Sequence, residues 1–128
     1  MRQSTTEIIG QVADSPICVV PPEVSLSRVV EEMSLSEQPL ALVIRNGVLE
    51  GVVSEGDIVR SIHDGADLDT VWAADIMTTE LVEVDERTAA WDVLELMLNE
   101  HIRHVIVQRE DGPALVGFFN VVDMVLPR

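Results

Sequence analysis

The sequence predicts an α/β (α+β) fold: two tandem copies of one small β-α-β-β-α unit, packed as a single pseudo-two-fold domain. Three observations predict it. Two stretches of the chain can be laid over each other at a nearly constant offset. Each stretch runs from a short apolar strand through an amphipathic helix into a pair of strands. Finally, a single copy is too short to cover its own sheet and helices, whereas two copies packed together can do so.

The repeat is read directly. VADSPICVVPPEVSLSRVVEEM, residues 12–33, lies over IMTTELVEVDERTAAWDVLELM, residues 76–97, at an offset of 64. Val20 falls on Val84, Val29 on Val93, Glu31 on Glu95 and Met33 on Met97. Further on, GVVSEGDIV (51–59) lies over GFFNVVDMV (117–125), at an offset of 66. That alignment gives the second copy two extra residues, near the turn sequence Glu110-Asp111-Gly112-Pro113, where insertions cost little. The chain therefore divides into a first repeat with a short N-terminal extension (1–63), a linker (64–75) and a second repeat (76–128).

The elements follow in order. The first copy opens with a strand near 17–20. Leu26, Val29, Val30 and Met33 then recur at helical spacing after Pro21-Pro22. Strands near 40–44 and 48–53 flank Asn46-Gly47, a strong signal for a tight hairpin. A helix over about 55–62 closes the copy. The linker is polar and carries Asp64-Gly65. In the second copy the strand is expected near 81–84. Thr88 is the expected N-cap of a helix carrying Ala90, Val93, Leu94, Met97 and Leu98. Strands near 105–107 and 115–119 and a helix over about 121–126 complete it.

Composition limits the function. The apolar fraction of 47% in 128 residues supports a packed core and argues against disorder. No apolar run reaches the roughly 20 residues that span a bilayer. The first ten residues lack the apolar stretch of a signal peptide. A cytoplasmic location is expected. The one cysteine, Cys18, sits in an apolar run and reads as a small buried residue. Net charge is −15, and all eight basic residues are arginine. So acidic a chain repels phosphate backbones and anionic membranes, so neither nucleic acid nor membrane is an expected partner. Acidity without lysine fits both a salt-loving source and a GC-rich genome, and composition does not separate them.

No Ser-His-Asp, Cys-His or metal-ligand constellation is evident, so no catalytic or metal residues are assigned and the chain is expected not to be an enzyme. His101 and His104 have no third ligand near them in sequence. Ser54-x-x-Asp57 falls where a strand ends and a helix begins. It reads as a helix cap. The same geometry can also serve a ligand site, in which helix N–H groups face a phosphate and a carboxylate accepts ribose hydroxyls. Asn120-x-x-Asp123 is taken as its counterpart in the second copy. Arg103 and His104 form the one adjacent basic pair, read either as solvated surface and half-buried imidazole or as a phosphate clamp. Trp72 and Trp91 read as packing residues, with Trp91 on a helix that could meet a second copy.

The pattern resembles the CBS-domain pair, also called the Bateman module, over nearly the whole chain. Asp75-Ile76-Met77-Thr78 is similar to that family's opening motif. His101-Ile102-Arg103-His104-Val105 is similar to its approach to the second strand. Gly51-Val52-Val53-Ser54-Glu55-Gly56-Asp57-Ile58 is similar to its signature. The resemblance implies a regulatory module that binds an adenosine compound (AMP, ADP, ATP or S-adenosylmethionine) and requires no cofactor. It implies a homodimer and a regulated enzyme or transporter. A dimerising scaffold with degenerate sites is the alternative. By the same resemblance, the ligand residues would be Asp14 and Thr78 at the adenine slot, and Leu40 and Ala41 with Arg103 and His104 at the second strands. Gly51, Ser54 and Asp57 would join them in the first copy, and Gly117, Asn120 and Asp123 in the second. Asp14 departs from the family pattern and reads equally as an acceptor for an adenine amino group or as a turn cap. The low count of basic residues favours AMP or S-adenosylmethionine over ATP.

Overall fold

Asn46 and Gly47 both adopt positive φ, 51° and 80°. That is the tight turn whose twist matches two antiparallel strands. It joins β2 (Leu40–Arg45) to β3 (Val48–Ser54), and β1 (Cys18–Val20) pairs parallel to β2. Helices α1 (Leu26–Ser36) and α2 (Glu55–His63) follow β1 and β3. The same order recurs as β4 (Glu83–Asp85), α4 (Ala90–Glu100), β5 (His104–Arg109), β6 (Gly112–Gly117) and α5 (Phe118–Val125). Again β4 pairs parallel to β5 and β5 antiparallel to β6. The computed structural model describes residues 7–11 and 17–126. It is a mixed α/β chain with two three-stranded sheets and five α-helices among those residues.

The helical spacing buries most of the residues it marks, but Val30 and Leu98 are left exposed and Leu94 half-buried. Leu26, Val29 and Met33 of α1 are buried with Cys18, Val20, Ala41, Val43 and Val53 in one core. Ala90, Val93 and Met97 of α4 are buried with Val105, Val107, Val116 and Val121 in the other. Burying a Leu or Val side chain stabilises by about 1.5–3 kcal/mol. Burial also pushes the Cys18 thiol above its ordinary pKa, offset in part by a hydrogen bond with Ser36. Both long helices end on a non-glycine residue in the left-handed region, Glu37 (φ 55°) and His101 (φ 56°). There the Gln38 and Ile102 amides donate back to the Met33 and Met97 carbonyls, both at 3.0 Å. This is a Schellman-type stop.

Of the two compact units, one is contiguous in sequence and the other is not. Among the described residues, one comprises 17–81 and the other 7–11 with 82–126. The residues read as a linker pack on the first repeat and include α3 (Ala73–Ile76). The Ala73 amide donates to the Val24 carbonyl at 2.8 Å, and the Leu26 amide to the Val71 carbonyl at 3.0 Å. The N-terminal segment makes the matching bonds to the second repeat. There the Ile9 amide donates to the Thr88 carbonyl at 2.8 Å, and the Ala90 amide to the Glu7 carbonyl at 2.9 Å. Each member of the second pair precedes or follows its partner by 64 positions, the offset of the repeat itself. The opening segment of each copy is thus docked on the body of the other.

This exchange corrects the expected cap of α4. Its N-cap is Ala89, with no side-chain cap bond, rather than Thr88. The Glu7 carbonyl already takes the first helical amide. In α1 the expected kind of cap is present, with the Ser25 hydroxyl accepting from the Arg28 amide at 3.2 Å.

The register corrects the second half of the repeat alignment. In the first hairpin Val43 faces Gly51 while Ile44 faces Leu49, so Glu50 is a one-residue bulge. The second hairpin is regular from His104–Gly117 to Arg109–Gly112. The second copy is therefore shorter by one residue, not longer by two. Phe118 and Phe119, expected in a strand, open helix α5, because Gly117 is already its N-cap.

Candidate ligand site

Ser54 ends β3 in extended conformation and caps α2. Its hydroxyl accepts from the Asp57 amide at 3.1 Å, and Asp57 Oδ2 accepts from the Ser54 amide at 2.9 Å. This reciprocal box satisfies two amides that a helix start leaves free. Asp57 is only 7% exposed. Its Oδ1 accepts from the Arg60 guanidinium, one helical turn on. The Thr78 hydroxyl reaches its Oδ2 at 3.5 Å, the outer limit of a hydrogen bond. A carboxylate offers about four acceptor positions, so these three donors leave room for a further hydroxyl.

Thr78 is brought there by its backbone. Its amide donates to the Val52 carbonyl at 2.8 Å and its carbonyl accepts from the Val52 amide at 3.0 Å. Gly51 permits the approach, since a Cβ at that position would lie 2.8 Å from the Thr78 carbonyl and 2.8 Å from Met77 Sδ. Gly51, Ser54, Asp57 and Thr78 are thus gathered in one unit, with Leu40 half-buried and paired to Ser54. Ala41 is not available through its side chain, because strand alternation turns it into the core, fully buried. Asp14 lies outside the described residues. Arg60 was not singled out from sequence, although its position three residues after Asp57 on one helix carried the signal.

In the second unit the expected equivalence shifts. Gly117 takes the capping place of Ser54, and its amide donates to Asn120 Oδ1 at 3.1 Å. Asn120 therefore corresponds to Asp57, and Asp123 to Arg60. The pairing of Asn120 with Ser54 and of Asp123 with Asp57 is corrected. It matched residues by letter across the bulge. No hydroxyl caps α5 at this position. The His104 ring stands beside this turn, its Nε2 3.6 Å from where a Gly117 Cβ would be. Burial lowers the His104 pKa from its ordinary value, and the neighbouring Arg103 charge lowers it further. Arg103 itself lies over the Phe118 and Phe119 rings, 5.2 and 5.4 Å from their centroids. The second-strand pairs also shift by one: His104 faces the N-cap Gly117 as Leu40 faces the N-cap Ser54.

Among the described residues, no group of three or more His, Cys, Asp or Glu is placed to hold a metal ion. No helix among them is long and apolar enough to cross a membrane.

Two α/β units of one topology, each with a helix capped directly after its hairpin, define a tandem-repeat module. The chain belongs to the CBS-domain family, whose sequence profile matches residues 9–64 and 73–126. It is 30% identical over 118 residues to an uncharacterized 17.7 kDa protein of Acidianus ambivalens, covering 91% of this chain and 70% of that one. It is 30% identical over 109 residues to the arabinose 5-phosphate isomerase KdsD of Yersinia pestis, covering 84% of this chain but 33% of the isomerase. The chain thus spans about a third of that relative. Among solved structures it is similar to the CBS domain protein PAE2072 from Pyrobaculum aerophilum complexed with AMP. There the TM-score is 0.77 at 23% identity, with 88% of each chain covered. It is also similar to the cytosolic domain of the Mg2+ channel MgtE in complex with ATP. There the TM-score is 0.77 at 21% identity, with 97% of this chain and 50% of that one covered.

Proposed function

We propose that this chain is a regulatory, non-catalytic module whose first unit binds an adenosine compound of low negative charge. AMP and S-adenosylmethionine are favoured over ATP, and occupancy is signalled to a partner enzyme or transporter. One observation carries the reading: the buried Asp57 carboxylate is held at the start of α2 with acceptor capacity to spare. Ribose hydroxyls would take the place of the weak Thr78 contact and fill the remaining position. Arg60, 70% exposed, would meet a phosphate with donors that Asp57 does not use. Family relatives in complex with AMP and with ATP support the ligand class. An isomerase and a channel that share such a stretch support the kind of partner.

Charge supports the choice within that class. A triphosphate brings about four negative charges and normally needs several cations or Mg2+ to offset them. The net charge here is −15, and Arg60 is the cation at this cluster. Calorimetry with AMP, adenosine, S-adenosylmethionine and ATP, without Mg2+ and at fixed salt, tests the proposal. AMP is expected to bind more tightly than ATP; the reverse order overturns the charge argument. Silence from all four favours the second reading, a scaffold with degenerate sites. The second unit lends that reading weight, since Gly117 and Asn120 replace the hydroxyl and the carboxylate.

A further inference from the structure

Each opening segment enters its unit through the same bonds. Across the isolated bridge of Ile8 with Ala89, the Ile9 amide donates to the Thr88 carbonyl and the Ala90 amide to the Glu7 carbonyl. Across that of Trp72 with Ser25, the Ala73 amide donates to the Val24 carbonyl and the Leu26 amide to the Val71 carbonyl. In an antiparallel pair these bonds make Ile9 and Ala90 diagonal neighbours on one face, and Ala73 and Leu26 likewise. All four residues are buried at 0% exposure, the first pair in the core of the second unit and the second pair in that of the first. The repeat matches Ile9 to Ala73 and Ala90 to Leu26, both at 64 positions. Size is thus exchanged within the pair. The second unit sets a large residue on the segment against a small one on the helix. The first unit sets a small one on the segment against a large one on the helix. Leu and Ile are isomers, so the two pairs fill the same volume.

A segment docked on its own repeat would break that sum. Ile9 would meet Leu26, two large side chains in room for one, while Ala73 beside Ala90 would leave a void. Overpacking and cavities both destabilise. The next position acts in the same way. The Gly10 amide donates to the Glu86 carbonyl at 2.8 Å, as the Ala74 amide donates to the Pro22 carbonyl at 3.0 Å. A Cβ at position 10 would lie 2.7 Å from the Glu86 carbonyl oxygen. Ala74 therefore cannot take the place of Gly10 unless backbone moves. We propose that the start of each long helix is a docking slot that reads its segment by size, taking Ile-Gly on the second unit and Ala-Ala on the first. Each slot rejects the segment that the other accepts, which enforces the exchange. Specificity of this kind comes as much from what a site excludes as from what it holds.

The test uses the full chain in four versions of identical composition. One exchanges the segment residues (Ile9→Ala with Ala73→Ile), one the helix residues (Leu26→Ala with Ala90→Leu) and one all four; the wild type completes the set. Gly10 and Ala74 stay in place, so the second segment is still kept out of the second unit's slot. Urea denaturation followed by circular dichroism gives the folding equilibrium constant of each. Either partial exchange should lower it at least about tenfold, because one slot is overfilled and the other hollow. The full exchange restores large against small in both slots and should regain most of the loss, a coupling that independent sites do not show. Partial exchanges as stable as the wild type, or a full exchange that regains less than half of the loss, overturn the proposal. Where a partial exchange does not fold, the full exchange decides, and its failure to fold overturns the proposal too. Gly10→Ala gives a separate readout. It should lower the constant at least about tenfold, and Ala74→Gly should lower it less; the reverse order overturns the proposal as well.

Discussion

Asn120 stands in the second unit where Asp57 stands in the first: its Oδ1 accepts from the Gly117 amide at 3.1 Å, as Asp57 Oδ2 accepts from the Ser54 amide at 2.9 Å. One residue is an amide and the other a carboxylate, yet both close the same turn. Capping the helix start therefore does not need the charge.

That separates two roles of Asp57. Asp57→Asn keeps an acceptor for the Ser54 amide and removes the charge. Its unfolding free energy should change little, while affinity for AMP should fall by about 1–3 kcal/mol through loss of charge-assisted hydrogen bonds. Asp57→Ala should lose the same affinity and also about 0.5–2 kcal/mol of stability, as a lost cap does. Urea denaturation and calorimetry on both variants check this. Unchanged affinity in Asp57→Asn would remove the carboxylate from the site.

Arg60 should distinguish a phosphorylated ligand from an unphosphorylated one. Arg60→Gln is expected to weaken AMP by about 1–3 kcal/mol and to leave adenosine nearly unchanged, because adenosine offers no anion to the guanidinium. Equal losses for the two ligands would show that Arg60 acts only by holding Asp57.

Gly51→Ala should be destabilising, by about 1–3 kcal/mol, because the new methyl meets the Thr78 carbonyl and Met77 Sδ at 2.8 Å. The strain falls on the backbone bridge between Val52 and Thr78. Hydrogen exchange at the Thr78 amide should accelerate in the variant more than exchange within α1.

His104 gives the stability a pH dependence. Its native pKa is lowered, chiefly by burial, so the unfolded chain binds more protons between that value and the unfolded value of about 6.5. Stability from this group is complete above about pH 6.5 and is lost as pH falls through the window below it. His104→Gln should flatten that part of the profile. Urea midpoints measured across the window, for both proteins, supply the comparison.

Added KCl should raise the melting temperature, because a net charge of −15 repels itself and salt screens it. A midpoint that stays flat from low to molar salt would show that the acidity is carried without strain.

What the sequence could show followed from local chemistry. Asn46-Gly47 was legible because the turn demands positive φ at both positions. Ser54 and Asp57 were legible because a capping box has a fixed spacing. The bulge at Glu50 was not, since a single unpaired residue has no residue-type signature. The bulge accounts for one of the three positions by which the second cluster was read out of place, and matching Gly117 to Gly51 by letter accounts for the other two. The place of Glu7 on α4 was equally hidden. A carbonyl that caps a distant helix leaves no mark on side-chain pattern.

The exchange of opening segments means that injury does not follow sequence order. A cut, tag or truncation that displaces Ile9 strips a core residue from the unit holding His104 and Asn120, at the far end of the chain. The unit holding Asp57 and Arg60 keeps all its described backbone bonds. The nearest terminus in sequence is thus a handle on the more distant repeat.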